Sequence, residues 1–300
     1  MDPLEAPTAD PFHAGEHALQ ARAGLRARMA DIGARVIRDH MPDQHRDFFA
    51  LLPFLLVGSV DGQGQPWASV LHGAPGFVQS PDPRRLRIAA RPPAGSALAA
   101  HLRAGASLGL LGLQPHTRRR NRMNGRVAAL DDDGFEVAVE HSFGNCPKYI
   151  RVREARALDG AALPVAPEAG PALDDEARAL IADADTLFIA SAHAGQVDVS
   201  HRGGAPGFVR IDEEARLLLP DYAGNFFFNT LGNLLLEPRA GLLFIDFERG
   251  DLLQLSATAE LIWDGPLVEA HPGALRLLRL SVTGMVRTRG GLPLRWSAGE

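Results

Sequence analysis

One six-residue string occurs twice in this chain. Gly73-Ala74-Pro75-Gly76-Phe77-Val78 returns 131 residues later as Gly204-Ala205-Pro206-Gly207-Phe208-Val209. A chance match of that length is rare, and the flanks agree. Before each copy lies an apolar strand with a polar turn: Phe54–Val60 with Asp61-Gly62-Gln63-Gly64, then Thr186–Ala192 with His193-Ala194-Gly195-Gln196. After each copy come a strand (Arg85–Ala89; Arg216–Leu219), a helix-like segment (Ser96–Ala104; Phe227–Leu236) and an apolar strand (Ser107–Leu113; Ala240–Phe247). Each half reads β-β-β-α-β-β, so the chain is a duplicated unit.

The repeat limits the fold class to α+β, mainly β. Asp61-Gly62 and Gly64 suit a hairpin turn that needs positive φ. Phe227, Leu231, Leu234 and Leu235 recur at helical spacing until Pro238 closes the segment. About six strands and one helix per half suit a small closed barrel, which removes exposed edges. The pattern predicts an N-terminal helical extension over residues 1–45, with a helix from about Phe12 to His40, and a first lobe over 46–155. A linker and helix follow over 156–180, where Ala-, Pro- and Gly-rich Arg153–Glu176 runs into a helix at Asp174–Asp183. A second lobe over 181–300 is completed by a strand in Leu277–Arg289.

Composition excludes several classes. With 46% apolar and 22% charged residues, a sizeable core can be buried. A formal net charge of −5 argues against nucleic acid as the main partner. The single cysteine, Cys146, rules out an internal disulfide and a Cys-rich metal site. No 18-residue apolar run predicts a membrane span, and Met1–Glu16 lacks a basic segment followed by an apolar core, so the expected compartment is the cytoplasm. Arginine greatly outnumbers lysine, which points to a GC-rich bacterial genome. The histidines are scattered without metal-binding spacing, so no metal is expected, and neither a G-x-G-x-x-G turn nor a P-loop lysine is present.

Three segments could carry chemistry. In the first, a strand ending at Pro220 leads through Asp221-Tyr222-Ala223-Gly224-Asn225 into a helix. Backbone N–H groups at such a turn and helix start are donors for phosphate, and Asn225, Asn229, Thr230 and Asn233 add side-chain groups. Alternatively, Asn225 only caps the helix and Gly224 only makes the turn. The second segment, Thr117–Arg126, holds five arginines in nine residues, and strand alternation would send Arg118, Arg120 and Arg122 to one face and Arg119 to the other. They could grip a phosphate or form a solvated face. The third, Ser142–Ile150, combines Cys146, Lys148 and Tyr149, with Cys146 either a nucleophile or a small buried thiol.

In the order of these features the second half resembles the FMN-binding split barrel of the pyridoxamine 5′-phosphate oxidase-like superfamily, including Leu236-Glu237-Pro238-Arg239-Ala240 at the helix-to-strand junction. The first half, with Thr117–Gly125 and Phe143–Ile150, resembles its flavin-nucleotide-binding branch, and the similarity spans about Asp47–Asp264. The resemblance implies two tandem split β-barrels forming an internal pseudo-dimer, which could stand alone or pair again as a homodimer. It implies FMN between the barrels and an FMN-dependent oxidoreductase acting on a small-molecule substrate. The phosphate would be held by Pro220, Asp221, Tyr222, Gly224 and Asn225, by Thr230 and Asn233, by Arg202, and by Arg118, Arg120 and Arg122 from the other lobe. Backbone around Gly204, Pro206, Phe208 and Val209 would approach the ring. The alternative is a non-catalytic flavin- or haem-binding module, with His72 or His201 as an axial ligand. The loop lacks the Ser, Arg and Lys of the oxidase itself, and Arg287–Glu300 lacks its C-terminal Arg/His signature, which argues against vitamin B6 as the substrate. The first-lobe counterpart, Arg91–Ser96, differs again, as expected for a lobe that has lost its site.

Overall fold

The computed structural model describes residues 10–158 and 166–298. Three helices lead the chain: α1 (Ala14–Arg22), α2 (Arg26–Val36) and α3 (Asp43–Ala50). The single helix expected from Phe12 to His40 is therefore two. Gly24 lies between them at φ +70°, a left-handed conformation that ends a right-handed helix and favours a residue without Cβ.

The first lobe comprises β1 (Phe54–Val60), β2 (Pro66–His72), β3 (Val78–Asp82), β4 (Arg85–Ile88), α4 (Ala97–His101), β5 (Ser107–Gln114), β6 (Arg119–Asp131) and β7 (Gly134–Gly144). Between the lobes run β8 (Arg153–Ala157), β9 (Glu168–Gly170) and α5 (Asp175–Asp183). The second lobe follows with β10 (Thr186–His193), β11 (Gln196–Gly203), β12 (Arg210–Ile211), β13 (Leu217–Asp221), α6 (Asn229–Leu236), β14 (Arg239–Ile245), β15 (Leu252–Ile262), α7 (Pro266–Glu269), β16 (Arg276–Thr288) and β17 (Leu294–Ala298).

The two sheets have one topology. The first is ordered β2-β1-β5-β6-β7-β4-β3 and the second β11-β10-β14-β15-β16-β13-β12, with β9 added beside β16. Each lobe is an antiparallel split barrel, and its repeat is β-β-β-β-α-β-β-β, one strand longer on each side of the helix than the sequence pattern suggested. The segment expected to be a linker also contains a strand: β8 pairs with β17 in a separate two-stranded sheet, which ties the C-terminal strand to the end of the first lobe.

The lobes pack about an internal pseudo-twofold axis. A Cβ built on Gly109 of β5 would lie 2.7 Å from the carbonyl oxygen of Val197, and one on Gly241 of β14 would lie 2.3 Å from that of Pro66. Gly109 and Gly241 occupy matching places in their lobes, as do Pro66 and Val197, so the contact is reciprocal in the manner of an isologous dimer. Leu56, Leu111, Phe188 and Leu243 from both lobes share one buried apolar cluster at this interface, and each lobe keeps its own core. Such shared burial is the main force holding the lobes together. Helix α1 seats on α6, where Gly15 and Gly232 approach too closely to admit a Cβ on either. Among the described residues no helix is long and apolar enough to cross a membrane.

Candidate cofactor site

Strand β13 ends at Asp221, and residues 222–228 form a loop before α6. Phe226 (φ +59°) and Phe228 (φ +67°) are both left-handed, a conformation that costs a non-glycine residue about 1 kcal/mol or more and that collects at functional loops. Phe228 stands at the N-cap of α6 without a side-chain cap bond. Asn225 is thus not the cap. Its Oδ1 accepts the Phe227 N–H within the loop at 3.2 Å.

Around this loop four guanidinium groups converge from three strands: Arg120 and Arg122 on β6, Arg202 on β11 and Arg276 at the start of β16. Arg122 and Arg276 are each 3% exposed. Two aspartates answer them. Arg122 Nη1 lies 3.2 Å from Asp198 Oδ1, while Arg276 Nε lies 3.0 Å from Asp221 Oδ2, whose other oxygen accepts from Arg202 Nη1. Arg122 also donates to Asn229 Oδ1 at 2.9 Å and to Ser200 Oγ. Arg276 lies over Phe228 and Trp263, with its guanidinium carbon 4.8 and 4.5 Å from the ring centres.

The cluster is under-compensated. Nε of Arg120, Arg122 and Arg202 and Nη1 of Arg276 are buried without hydrogen-bond partners. Burial, then the neighbouring Arg122 charge, pushes Arg120 down to about 10. Burial likewise lowers Arg122 and Arg276 from their ordinary values, although Asp198 and Asp221 oppose it. His201 belongs to the same group. Its Nδ1 lies 2.9 Å from Arg120 Nη1 and, since a guanidinium only donates, must accept. The ring proton then sits on Nε2, which has no partner. Burial, then Arg120, Arg202 and Arg153, holds this imidazole neutral, well below its ordinary value.

Behind the arginines a buried polar chain reaches the N-terminal helix. Asn233 bridges Asp198 Oδ2 (3.3 Å), Ser191 Oγ (3.1 Å) and His13 Nε2 (2.9 Å), and Asn229 donates to Glu16 Oε1 at 2.5 Å. Burial first, then the Asp198 charge, raises the Glu16 carboxyl from its ordinary 4.5 to about 8. At neutral pH Glu16 is therefore largely protonated and adds little negative charge.

The arginines line a cavity of about 120 Å³ that adjoins an open one of about 1200 Å³. Lys148, Tyr149 and Tyr222 border both. The two tyrosine rings stack there, 5.2 Å apart at 27°. Of the residues singled out in the sequence, Arg120, Arg122, Arg202, Pro220, Asp221, Tyr222, Gly224, Asn225 and Thr230 meet at the smaller cavity, together with Cys146. Arg118, Gly204 and Pro206 line the larger one. Arg118 parts from Arg120 and Arg122 because it is left-handed (φ +54°) before β6 begins, so strand alternation does not reach it. Phe208 and Val209 point into the second-lobe core. Asn233 belongs to the polar chain behind the site. His72 lines a different cavity, near Leu113 and Leu294. Arg276, Ser200 and Glu16 were not singled out in the sequence.

A family model described as pyridoxamine 5′-phosphate oxidase matches two tandem segments, residues 41–169 and 173–278. Solved structures similar in part include HupZ of Group A Streptococcus, at 18% identity over 37% of this chain and 89% of that one, with a TM-score of 0.31. An FAD-binding protein of Mesorhizobium loti matches at 15% identity over 41% and 98%, with a TM-score of 0.30. The heme storage protein HutZ of Vibrio cholerae matches at 19% identity over 37% and 90%, with a TM-score of 0.28. No curated protein matches the chain. With the family match covering both lobes, this chain belongs to the pyridoxamine 5′-phosphate oxidase family.

Proposed function

We propose that the chain binds FMN, with its phosphate among Arg120, Arg122, Arg202 and Arg276, and works as an FMN-dependent oxidoreductase on a small molecule. The observation that carries this reading is the charge imbalance. Four guanidiniums face two carboxylates, and four of their buried N–H groups lack an acceptor. Buried polar groups without partners are costly, and a phosphate supplies both the missing charge and the missing acceptors. The loop before α6 adds the Asn225 amide and backbone donors, while the Thr230 hydroxyl donates to Ser200 Oγ at 2.8 Å and so helps hold the acceptor of Arg122.

When bound, FMN supplies two-electron redox chemistry at its isoalloxazine ring. The chain's own part is to bind, orient and shield. The larger cavity gives a substrate its approach, and the Tyr149–Tyr222 pair forms an aromatic wall between it and the arginines. His201 supplies one neutral N–H donor.

An absorption spectrum of the purified protein, with mass analysis of what denaturation releases, tests the reading. Flavin bands and released FMN are expected. A protein that stays colourless with added FMN, yet shows a Soret band with haem that is lost in His201→Ala, would overturn it.

A further inference from the structure

The pseudo-twofold axis gives the arginine-lined cavity a twin. Strand register fixes the correspondence. Leu56 pairs with Val70 and Leu111 in the first lobe, and Phe188 pairs with His201 and Leu243 in the second. His201 therefore corresponds to Val70, and the next residue, Arg202, to Leu71. Leu111 faces Arg122 where Leu243 faces Gln254, and Leu113 faces Arg120 where Ile245 faces Leu252. Arg122 and Arg120 thus correspond to Gln254 and Leu252. In the helices, Thr230, the second residue of α6, corresponds to Leu98, the second residue of α4.

A cavity of about 300 Å³ lies at this twin position, and Val70, Leu71, Leu98, Leu252 and Gln254 all line it. Among the described residues, none that lines it carries a charge. Gln254, in place of an arginine, already spends its amide on Ala68 O (2.7 Å) and Ser69 Oγ (3.2 Å). Arg120, Arg122 and Arg202 are thus replaced by Leu252, Gln254 and Leu71, none of them charged, yet the space has not closed. It cannot take a phosphate, which would be left there without a counter-charge. Four of the lining side chains, Ser69, Ser96, Gln254 and Thr288, are polar and uncharged, and the rest are apolar apart from Gly291. Apolar cavities of about 150 Å³ accept a benzene-sized guest.

We propose that the second cavity is a separate binding site for an uncharged apolar molecule of about two fused rings, and that the duplicated chain thereby holds one anionic and one apolar ligand site. The apolar half of this proposal stands apart from the FMN reading, because it rests on the lining and volume of the second cavity alone.

Prodan, an uncharged naphthalene fluorophore whose emission shifts to the blue in apolar surroundings, probes the site in the flavin-free full chain. Two variants close it: Ala94→Trp, on an exposed stretch of the loop at its rim, and Leu252→Arg, which restores the residue type of the first cavity. Saturable binding of one prodan per chain is expected, at least tenfold weaker in both variants. It should change less than twofold in Arg202→Ala and should not be displaced by saturating FMN. Thermal melts check folding, and Ala94→Trp, being on the surface, carries the test if Leu252→Arg unfolds. Absence of saturable binding, binding that survives closure, or displacement by FMN would overturn the proposal. So would two equivalents of FMN per chain. Failure of FMN to bind at all would remove the cofactor reading and leave the prodan result to stand by itself.

Discussion

Arg122 of β6 and Asp198 of β11 form an ion pair at 3.2 Å that crosses from one lobe to the other, with the arginine only 3% exposed. The pair belongs to the candidate cofactor site and the lobe interface at once, so that cluster of residues comes together only where both lobes are in place. Removing the arginine leaves Asp198 with the amides of Asn124 and Asn233 as its remaining partners. Stranding one member of a buried pair costs about 3–5 kcal/mol. Arg122→Ala is expected to lower the unfolding free energy by that order in urea titration, and a loss below about 1 kcal/mol would contradict the pair's role.

Arg202 tests the phosphate grip with less risk to folding, since it is half-buried and lies at the cavity edge. Hydrogen bonds to charged groups contribute about 1.5–3 kcal/mol, so Arg202→Ala should weaken FMN binding about tenfold to a hundredfold. Asn225→Ala, which removes a neutral group, should weaken it severalfold. Fluorescence titration reads both, and unchanged affinity in the two variants would sink the site assignment.

The buried carboxyl of Glu16 gives the fold a pH signature. Its folded value of about 8 lies above its ordinary 4.5, so across that window the folded chain keeps a proton that the unfolded chain has released. Its stabilising contribution is full below about pH 4.5 and is lost as pH rises towards 8. Glu16→Gln, which cannot titrate, should lack this trend. Melting temperatures should show the parent losing ground to the variant between about pH 5 and 8. Parallel profiles would contradict a raised Glu16.

The reciprocal glycines predict a matched pair of defects. Gly241→Ala and Gly109→Ala both push a methyl group against backbone of the other lobe, and overpacking of this kind costs about 1–3 kcal/mol. Gly62→Ala, where a Cβ meets nothing within 4 Å, should be nearly neutral. Denaturant titration of the three variants checks the contrast, and equal stabilities would contradict close packing at the axis.

The duplication was legible because both lobes keep the same string at the same place in the fold. Arg120 and Arg122 stood out by density, and the Pro220–Asn225 loop by its turn chemistry. Arg276 carried no local signal. Its role comes from its register opposite Asp221, across 55 residues of chain. Glu16 reaches the site only because α1 seats on α6 through two glycines, a tertiary contact that helical periodicity does not encode. Strand β8 hid in Ala-rich surroundings because its partner, β17, is supplied from the far end of the chain. Arg118 was misplaced by strand alternation because one left-handed residue precedes the strand. Phe208 and Val209 share the conserved-looking repeat for a packing reason: both fill the second-lobe core.

Binding of a flavin through its phosphate by the arginine cluster would distinguish FMN from riboflavin. Calorimetric titration of the flavin-free chain with FMN and, separately, with riboflavin tests it most directly, since the two differ only in the phosphate. One FMN per chain is expected, with riboflavin bound at least a hundredfold more weakly and the FMN affinity falling as salt is added. Equal affinity for the two flavins, or no binding of either, would contradict it.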